Sequence, residues 1–220
     1  MLCRKCRSWY KRQPAGAGRL PCHCEEAVRP TKQSFRKKIA SPKRRARNDT
    51  RVNDARCCVK KLTIFIGADH RGFMFKEKII AALRLLGHEV VDVGTYKLNP
   101  PCDYPAISFA VGKDVVAHKN SRGILVCLTG IGHSMAANKV PGVYAALCYS
   151  KEAAELSRRH NNANVLVLGS NFVSENTMMD IINVWLQTPF DGGRHLRRIK
   201  QIAAFEKEMY KKAQTKKRKT

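Results

Sequence analysis

The sequence has few acidic residues: 17 Asp and Glu stand against 42 Lys and Arg in 220 residues, a formal net charge of +25. The balance of basic and acidic residues differs along the chain. Residues 1–61 hold 19 basic and 4 acidic side chains, residues 62–210 hold 17 and 13, and residues 211–220 hold 6 and none. The excess charge therefore lies at the two ends of the chain, so it does not indicate that the middle part binds nucleic acid.

Long apolar runs are also missing. No segment approaches the ~18 apolar residues of a membrane helix, and the first residues lack the apolar centre of a secretory signal. The nine cysteines do not suggest a disulfide framework, because their number is odd and Cys102, Cys127 and Cys148 are scattered through the middle part. These features predict no membrane partner and a cytoplasmic location.

Residues 1–61 have no sustained apolar period and are predicted to form a disordered basic N-terminal extension. Three interpretations of it remain open: an arm that contacts nucleic acid or anionic lipid, an organellar transit peptide, or translated sequence upstream of the true start. Cys3, Cys6, Cys22 and Cys24 lack the spacing of a regular zinc knuckle, so no metal site is predicted. Residues 211–220 are predicted to form a disordered basic C-terminal tail.

Residues 62–210 alternate between short β-rich apolar runs and segments with a helical period. Five strands are predicted, at Leu62–Gly67, Glu89–Val93, Gly123–Cys127, Val143–Leu147 and Val165–Leu168. The helix predicted at Ser150–His160 has Ser150 as a suitable N-cap. This alternation predicts a Rossmann-like three-layer α/β/α sandwich with a five-stranded parallel sheet.

Ligands of such sheets bind at the carboxyl ends of the strands. Three segments are expected there: Gly67–Gly72, Cys127–Ser134 and the segment around His160. In the first of these, Asp69 and His70 either face a ligand or serve as an N-cap and a loop residue, and the sequence leaves both roles open.

Cys127 ends the third predicted strand, and a loop with Gly130 and Gly132 follows and opens a helix. Backbone N–H groups in such a loop converge on an anion, and a cysteine beside them is expected to have a lowered pKa. A cysteine next to an anion-binding loop suits acid–base chemistry on a substrate that becomes an enediolate. A buried strand cysteine is the alternative, and Cys148 fits that description.

Arg194 and Arg198 are one helical turn apart, so their guanidinium groups repel each other unless an anion such as phosphate lies between them. A solvated basic face is the alternative. His160, at the end of a predicted helix, is followed by Asn161 and Asn162, which suggests a polar pocket or a simple helix end.

Five motifs occur in a fixed order: GADHRGF, Cys-x-Thr-Gly-x-Gly, AANKVPGV, RHNNAN and GGRH. Together they resemble the ribose-5-phosphate isomerase B family, which includes galactose-6-phosphate isomerase subunits, over residues 62–210. The resemblance implies an aldose–ketose isomerase of the pentose phosphate pathway that interconverts ribose 5-phosphate and ribulose 5-phosphate through a cis-enediolate. It implies neither a metal nor an organic cofactor. A six-carbon sugar phosphate such as galactose 6-phosphate is the alternative substrate.

The resemblance also implies individual roles. Cys127 would be the base, and His160, assisted by Thr129, would open the sugar ring. The residues that would bind the substrate are Asp69, His70, Leu128, Gly130, Ile131, Gly132, Asn161, Arg194 and Arg198. Family members are homodimers or dimers of dimers with each site built from both subunits, so a homodimer or homotetramer is expected.

Three positions depart from the family's pattern. Many relatives have Arg where this chain has Asn171, so one phosphate contact is expected to be missing. Leu128 stands where Gly is common, and His133 where an apolar residue is common.

Overall fold

The computed structural model describes residues 61–217, and their side chains as far as Lys212. The predictions for residues 1–60 lie outside the described residues, as does the end of the predicted C-terminal tail. The described part of that tail continues the last helix, which runs to Lys217. None of the helices described is both long enough and apolar enough to cross a bilayer.

Strands and helices alternate along the described chain. The strands are β1 (Thr63–Ala68), β2 (Glu89–Gly94), β3 (Ser121–Cys127), β4 (Ala145–Leu147) and β5 (Val165–Gly169). The helices are α1 (Phe73–Leu85), α2 (Tyr104–Ala117), α3 (Ile131–Ala137), α4 (Lys151–Asn161), α5 (Glu175–Gln187) and α6 (Gly193–Lys217). All five strands are parallel, in the order β2-β1-β3-β5-β4, so β3 lies at the centre of the sheet.

Two apolar clusters cover the two faces of the sheet. Helices α1, α4 and α5 contribute to the first cluster, in which Trp185 is completely buried. Helices α2 and α3 contribute to the second cluster, around Val111. Along β1, Ile64 and Ile66 belong to the first cluster and Phe65 to the second, as the alternation of side chains on a strand requires. The predicted Rossmann-like three-layer sandwich is confirmed.

Helix α6 packs against α4 and is attached to the segment that follows α3. Glu206 accepts a hydrogen bond from the backbone N–H of Gly142 at 2.9 Å, and the hydroxyl of Tyr210 donates to the carbonyl oxygen of Lys139 at 2.9 Å. The helix nevertheless leaves a set of apolar side chains exposed, namely those of Leu196, Ile202, Phe205 and Met209.

Candidate active site

Asp69 follows β1 at the carboxyl edge of the sheet and is buried. Its Oδ1 atom accepts hydrogen bonds from the backbone N–H groups of Arg71 at 3.0 Å and Gly72 at 2.9 Å. The N-cap of α1 is Gly72 rather than Asp69. Gly72 also lets this turn lie against β3, because a Cβ atom there would come within 2.2 Å of the carbonyl oxygen of Val126. One carboxylate oxygen of Asp69 therefore fixes the turn, and Oδ2 receives no hydrogen bond from the part of the chain described.

Cys127 ends β3 beside this turn, and its Sγ atom accepts a hydrogen bond from the backbone N–H of Gly130 at 2.9 Å. The loop can fold back onto the sulfur because Gly130 adopts a φ of 80°, in the left-handed region that glycine tolerates. The side-chain oxygen of Thr129 accepts from the N–H of Ile131 at 3.4 Å. The thiol thus faces the glycine loop rather than the apolar clusters of the sheet.

The pKa of the Cys127 thiol is raised, first because the sulfur is buried. Hydrogen bonds from Gly130 and Thr129 lower this pKa, whereas the nearby carboxylate of Asp69 raises it. The sequence predicted a lowered pKa, and for the chain on its own that prediction is wrong. The donors of the loop are present, but burial and a carboxylate that is remote in sequence outweigh them.

His133, in α3, forms a buried group with Asp69 and Cys127. A carboxylate oxygen of Asp69, the Sγ atom of Cys127 and a ring nitrogen of His133 all lie within 4.8 Å of one another. The His133 ring is completely buried, and burial lowers its pKa to about 4, so the imidazole is neutral at neutral pH. Its Nδ1 atom lies 2.6 Å from the Oγ atom of Ser108.

The other residues predicted around this loop lie at the same edge, namely His70, Leu128, Ile131 and Gly132. The Nδ1 atom of His70 accepts a hydrogen bond from the backbone N–H of Cys102 at 3.4 Å, so the ring lies over the loop before α2. Asn171, which replaces the arginine of many relatives, is exposed at this edge, and its N–H donates to the carbonyl oxygen of Leu128 at 2.9 Å.

His160 and His195 form the centre of a second group. Their rings stack with centroids 4.2 Å apart and planes 2° from parallel. The carboxylate of Asp191 lies within 4.8 Å of both imidazoles and accepts a hydrogen bond from the Nε atom of Arg159 at 3.1 Å. The carboxylate of Asp191 is therefore already paired with the guanidinium group of Arg159.

Two more guanidinium groups flank the histidine pair at the start of α6. The Nε atom of Arg194 donates to the Nε2 atom of His195 at 3.4 Å, and both Arg194 and Arg198 are exposed. The pKa of His195 is lowered, first by burial and then by the neighbouring His160 and the two arginines. Asn161 is exposed next to His160. This group is electropositive and suits an anion such as a phosphate.

The group around Cys127 and the group around His160 lie at opposite edges of the sheet, the first where the parallel strands end and the second where they begin. Gly123 pairs with Val165 where β3 and β5 begin, and Cys127 pairs with Gly169 where they end. Four residues at ~3.3 Å each separate these edges by about 13 Å. His160 lies in the last turn of α4, which returns the chain to the beginning of β5.

The location predicted for the segment around His160 is therefore wrong. A helix that follows one parallel strand runs antiparallel to the sheet, so its end delivers the chain to the edge where the next strand begins. The backbone N–H of Asp191 donates to the carbonyl oxygen of Arg159 at 3.0 Å and keeps the start of α6 at that edge as well. In the described part of one chain, Cys127 and His160 do not line a common cavity.

Two residues of these groups were not selected from the sequence. His195 stands between Arg194 and Arg198 in the GGRH motif, and its spacing of three residues from Arg198 places both on neighbouring parts of one helix face, which is a usable signal. The only sequence signal for His133 is that it replaces an apolar residue that is common in the family. Its contact with Ser108 and its position near Asp69 join residues that are far apart in sequence.

Comparison with known proteins identifies the family of the chain. The profile of the family described as Ribose/Galactose Isomerase matches residues 64–202. The chain is 42% identical over 145 residues to a probable ribose-5-phosphate isomerase B of Mycoplasma pneumoniae, covering 66% of this chain and 95% of that protein. It is 41% identical over 143 residues to ribose-5-phosphate isomerase B of Escherichia coli, covering 65% and 95%.

A solved structure with a ligand is also similar. Ribose-5-phosphate isomerase B of Mycoplasma genitalium, determined with bound ribulose-5-phosphate, has a TM-score of 0.65 and 43% sequence identity to this chain. The match covers 67% of this chain and 97% of the other.

Proposed function

The chain belongs to the ribose/galactose isomerase family, and we propose that Cys127 is the base with which it interconverts ribose 5-phosphate and ribulose 5-phosphate. The isomerase activity accords with the names of the relatives and with the ligand of the Mycoplasma genitalium structure. The single observation that supports Cys127 as the base is the hydrogen bond from the backbone N–H of Gly130 to its Sγ atom at 2.9 Å. This contact stabilises a thiolate at the carboxyl end of the central strand.

The reaction needs one proton to move between neighbouring carbons. The Cys127 thiolate takes the proton from C2 of the open-chain aldose, which leaves an enediolate, and the resulting thiol returns a proton to C1. The proton of the C2 hydroxyl passes to O1, so the ketose has the same atoms as the aldose. Thr129 and the N–H groups of the loop donate to the sulfur and to the enediolate oxygen, and they stabilise whichever of the two is negative.

Asp69 and His70 lie at the same edge as the base. The Oδ2 atom of Asp69, which the turn leaves free, accepts a hydrogen bond from a sugar hydroxyl in this proposal. His70, whose Nδ1 atom accepts from Cys102, offers its other ring nitrogen at the same edge. Holding the sugar at several points keeps the reacting carbons over the sulfur, which accounts for a large part of the rate of such reactions.

We propose that a second copy of the chain completes each site. The groups that would open the ring and bind the phosphate lie at the other sheet edge of the same chain, and the two edges are about 13 Å apart along the strands. These groups are His160, Asn161, Arg194 and Arg198. A partner that places its His160 edge over the Cys127 edge of the first copy would supply them. The exposed apolar residues of α6, such as Phe205, give that partner a surface to bury.

The test of the base is the substitution Cys127→Ala. We expect turnover to fall by at least about a hundredfold, the usual effect of losing a general base, with an unchanged circular dichroism spectrum. Cys148→Ala is the matched control, because Cys148 is also a buried cysteine but lies in an apolar cluster. Near wild-type turnover in Cys127→Ala would contradict the proposed role.

The test of the shared site is complementation between two inactive variants. Cys127→Ala and His160→Gln each damage every site of their own homodimer. In a mixed dimer, one site carries both substitutions and the other site carries neither. Random mixing makes about half of the dimers mixed, and each of these has one intact site of two, so about a quarter of wild-type activity returns. If the co-expressed variants stay inactive although mixed dimers are isolated through two different tags, the site is not shared.

Six-carbon aldose phosphates should be assayed beside ribose 5-phosphate, because galactose 6-phosphate is the alternative within the family. We also propose a cytoplasmic location, since Cys102, Cys127 and Cys148 are all free thiols.

A further inference from the structure

Three different metal-binding side chains meet beneath the glycine loop. Asp69, Cys127 and His133 are all buried, and their carboxylate, sulfur and imidazole ligand atoms lie within 4.8 Å of one another. A tetrahedral zinc ion, with bonds of about 2.0–2.3 Å, separates its ligand atoms by roughly 3.5 Å. The distances between the three atoms therefore need to shorten by up to about 1.3 Å to hold such an ion.

The tautomer of His133 leaves the appropriate nitrogen free. The Oγ atom of Ser108 is 3.0 Å from the carbonyl oxygen of Tyr104, to which it donates its only proton. We infer that the imidazole donates in the contact between His133 Nδ1 and Ser108 Oγ at 2.6 Å, because the hydroxyl proton is then used by the Tyr104 carbonyl. The Nε2 atom consequently carries a lone pair, is fully buried, and has no partner among the residues described.

A buried lone pair without a donor is costly and calls for a ligand. The hydrogen bond from Nδ1 to Ser108 is the kind of second contact that fixes the ring of a metal-binding histidine. Asp69 offers Oδ2, because Oδ1 is held by the turn. Each of the three residues thus offers a ligand atom to one buried cluster.

We propose that Asp69, Cys127 and His133 form a binding site for a zinc-like divalent cation that competes with the sugar phosphate. The ion binds Oδ2, Sγ and Nε2, displaces the thiol proton into solvent, and keeps a fourth position for water. The ion is an inhibitor and not a cofactor, because it occupies the lone pair of sulfur that would take the substrate proton. This inhibition rests on the proposed role of Cys127 as the base, whereas the binding does not.

The ligand set selects the kind of cation. One thiolate, one imidazole and one carboxylate suit zinc, or cobalt as its spectroscopic substitute, whereas magnesium and calcium prefer oxygen ligands only. The second group of the molecule, with His160, Asp191 and His195, is a poorer cation site. Its carboxylate is paired with Arg159, and two more guanidinium groups lie beside it.

The test compares the full-length wild type with His133→Leu in the isomerase assay at increasing concentrations of zinc chloride. We expect competitive inhibition of the wild type against ribose 5-phosphate, and a half-inhibitory concentration about tenfold or more higher in His133→Leu. Magnesium chloride at the same concentrations should leave both proteins active. Equal sensitivity of wild type and variant to zinc would overturn the proposal.

A second measurement does not depend on turnover. Cobalt chloride should give a thiolate-to-cobalt charge-transfer band in the near ultraviolet that decreases in both Cys127→Ala and His133→Leu. The cysteines of residues 1–60 are present in all three proteins, so their contribution cancels in the difference spectra. A band unchanged by both substitutions overturns the metal site and leaves the isomerase mechanism untouched. A band lost in a Cys127→Ala variant that still turns over overturns the base and leaves the metal site standing.

Ser108→Ala provides the same test should His133→Leu fail to fold. It removes the acceptor of the Nδ1 proton but keeps the imidazole, so the ring is no longer held in the tautomer that exposes Nε2. We expect weaker zinc inhibition than in the wild type. Unchanged zinc inhibition in a folded Ser108→Ala variant would contradict the proposal.

Discussion

The imidazole of His195 stacks flat on that of His160, with 4.2 Å between ring centroids. This contact holds the His160 ring in one orientation, so we expect His195→Ala to reduce kcat/KM for ribose 5-phosphate by about ten- to a hundredfold. His195→Phe keeps a flat ring in the stack and should recover part of the loss, which a purely electrostatic role of His195 does not predict. Wild-type kinetics in His195→Ala would contradict the positioning role.

The pH dependence of kcat/KM should follow the Cys127 thiol. Its pKa is raised by burial and by Asp69, so little thiolate is present at neutral pH in the free enzyme, and the active fraction increases with pH. We expect kcat/KM to rise by up to about tenfold per pH unit from neutral into the alkaline range. A profile that is flat or falls over this range would show that another group is the base.

Gly130 and Gly87 allow a matched test of the loop. Both have positive φ values, 80° and 88°, so an alanine at either position costs ~1–2 kcal/mol of backbone strain. A Cβ atom at Gly130 would also lie 2.4 Å from Leu147 Cδ1 and 3.3 Å from the backbone of Leu168, which cannot rotate away, whereas nothing lies within 4 Å of one at Gly87. Gly130→Ala should therefore lower the free energy of unfolding by a further ~1–3 kcal/mol in urea titrations, and equal losses would refute the crowding.

Asn171→Arg should restore a phosphate contact. Asn171 is exposed at the edge that carries Cys127, and its N–H is bonded to Leu128, so a longer basic side chain there extends over the loop. We expect a KM for ribose 5-phosphate about three- to tenfold lower with little change in kcat, because the contact is equal in ground and transition states. Asn171→Gln is the uncharged control, and an identical KM in all three proteins would argue against a phosphate at this position.

The buried His133 should make stability depend on pH. Its pKa is about 4 in the folded chain against 6.5 ordinarily, so the unfolded chain binds more protons between these values. The free energy of unfolding must then decrease as pH falls from 6.5 to 4, by about 3 kcal/mol for this residue. Denaturant titrations of His133→Leu should show a decrease that is smaller by this amount, and parallel curves would exclude the effect.

Much of the fold follows from local sequence patterns. The first predicted strand, Leu62–Gly67, is found at Thr63–Ala68, one residue along, because the apolar period marks the strand but not its exact ends. Ser150 is the N-cap of α4, as predicted, and accepts from the N–H of Ala153. The predicted strand Val143–Leu147 is shorter, Ala145–Leu147, since the N–H of Val143 bonds to Val140 in a turn.

The site was less accessible from the sequence. The motifs identify Cys127 and the glycine loop, but the direction of its pKa shift depends on burial and on Asp69, which approaches only in the folded chain. The position of His160 depends on the direction of α4 across the sheet rather than on the residues near it. The pKa of Cys127 and the position of His160 both depend on interactions between distant segments, which local sequence patterns do not predict.

The separation of the Cys127 and His160 groups has a kinetic consequence if the site is shared as proposed. If a single chain cannot turn over substrate, then the reaction rate depends on the number of paired chains. At high dilution the rate should therefore scale with the square of the protein concentration. Specific activity would then report the dissociation constant of the pair, and a cell making few copies of this chain would hold most of it in a silent form.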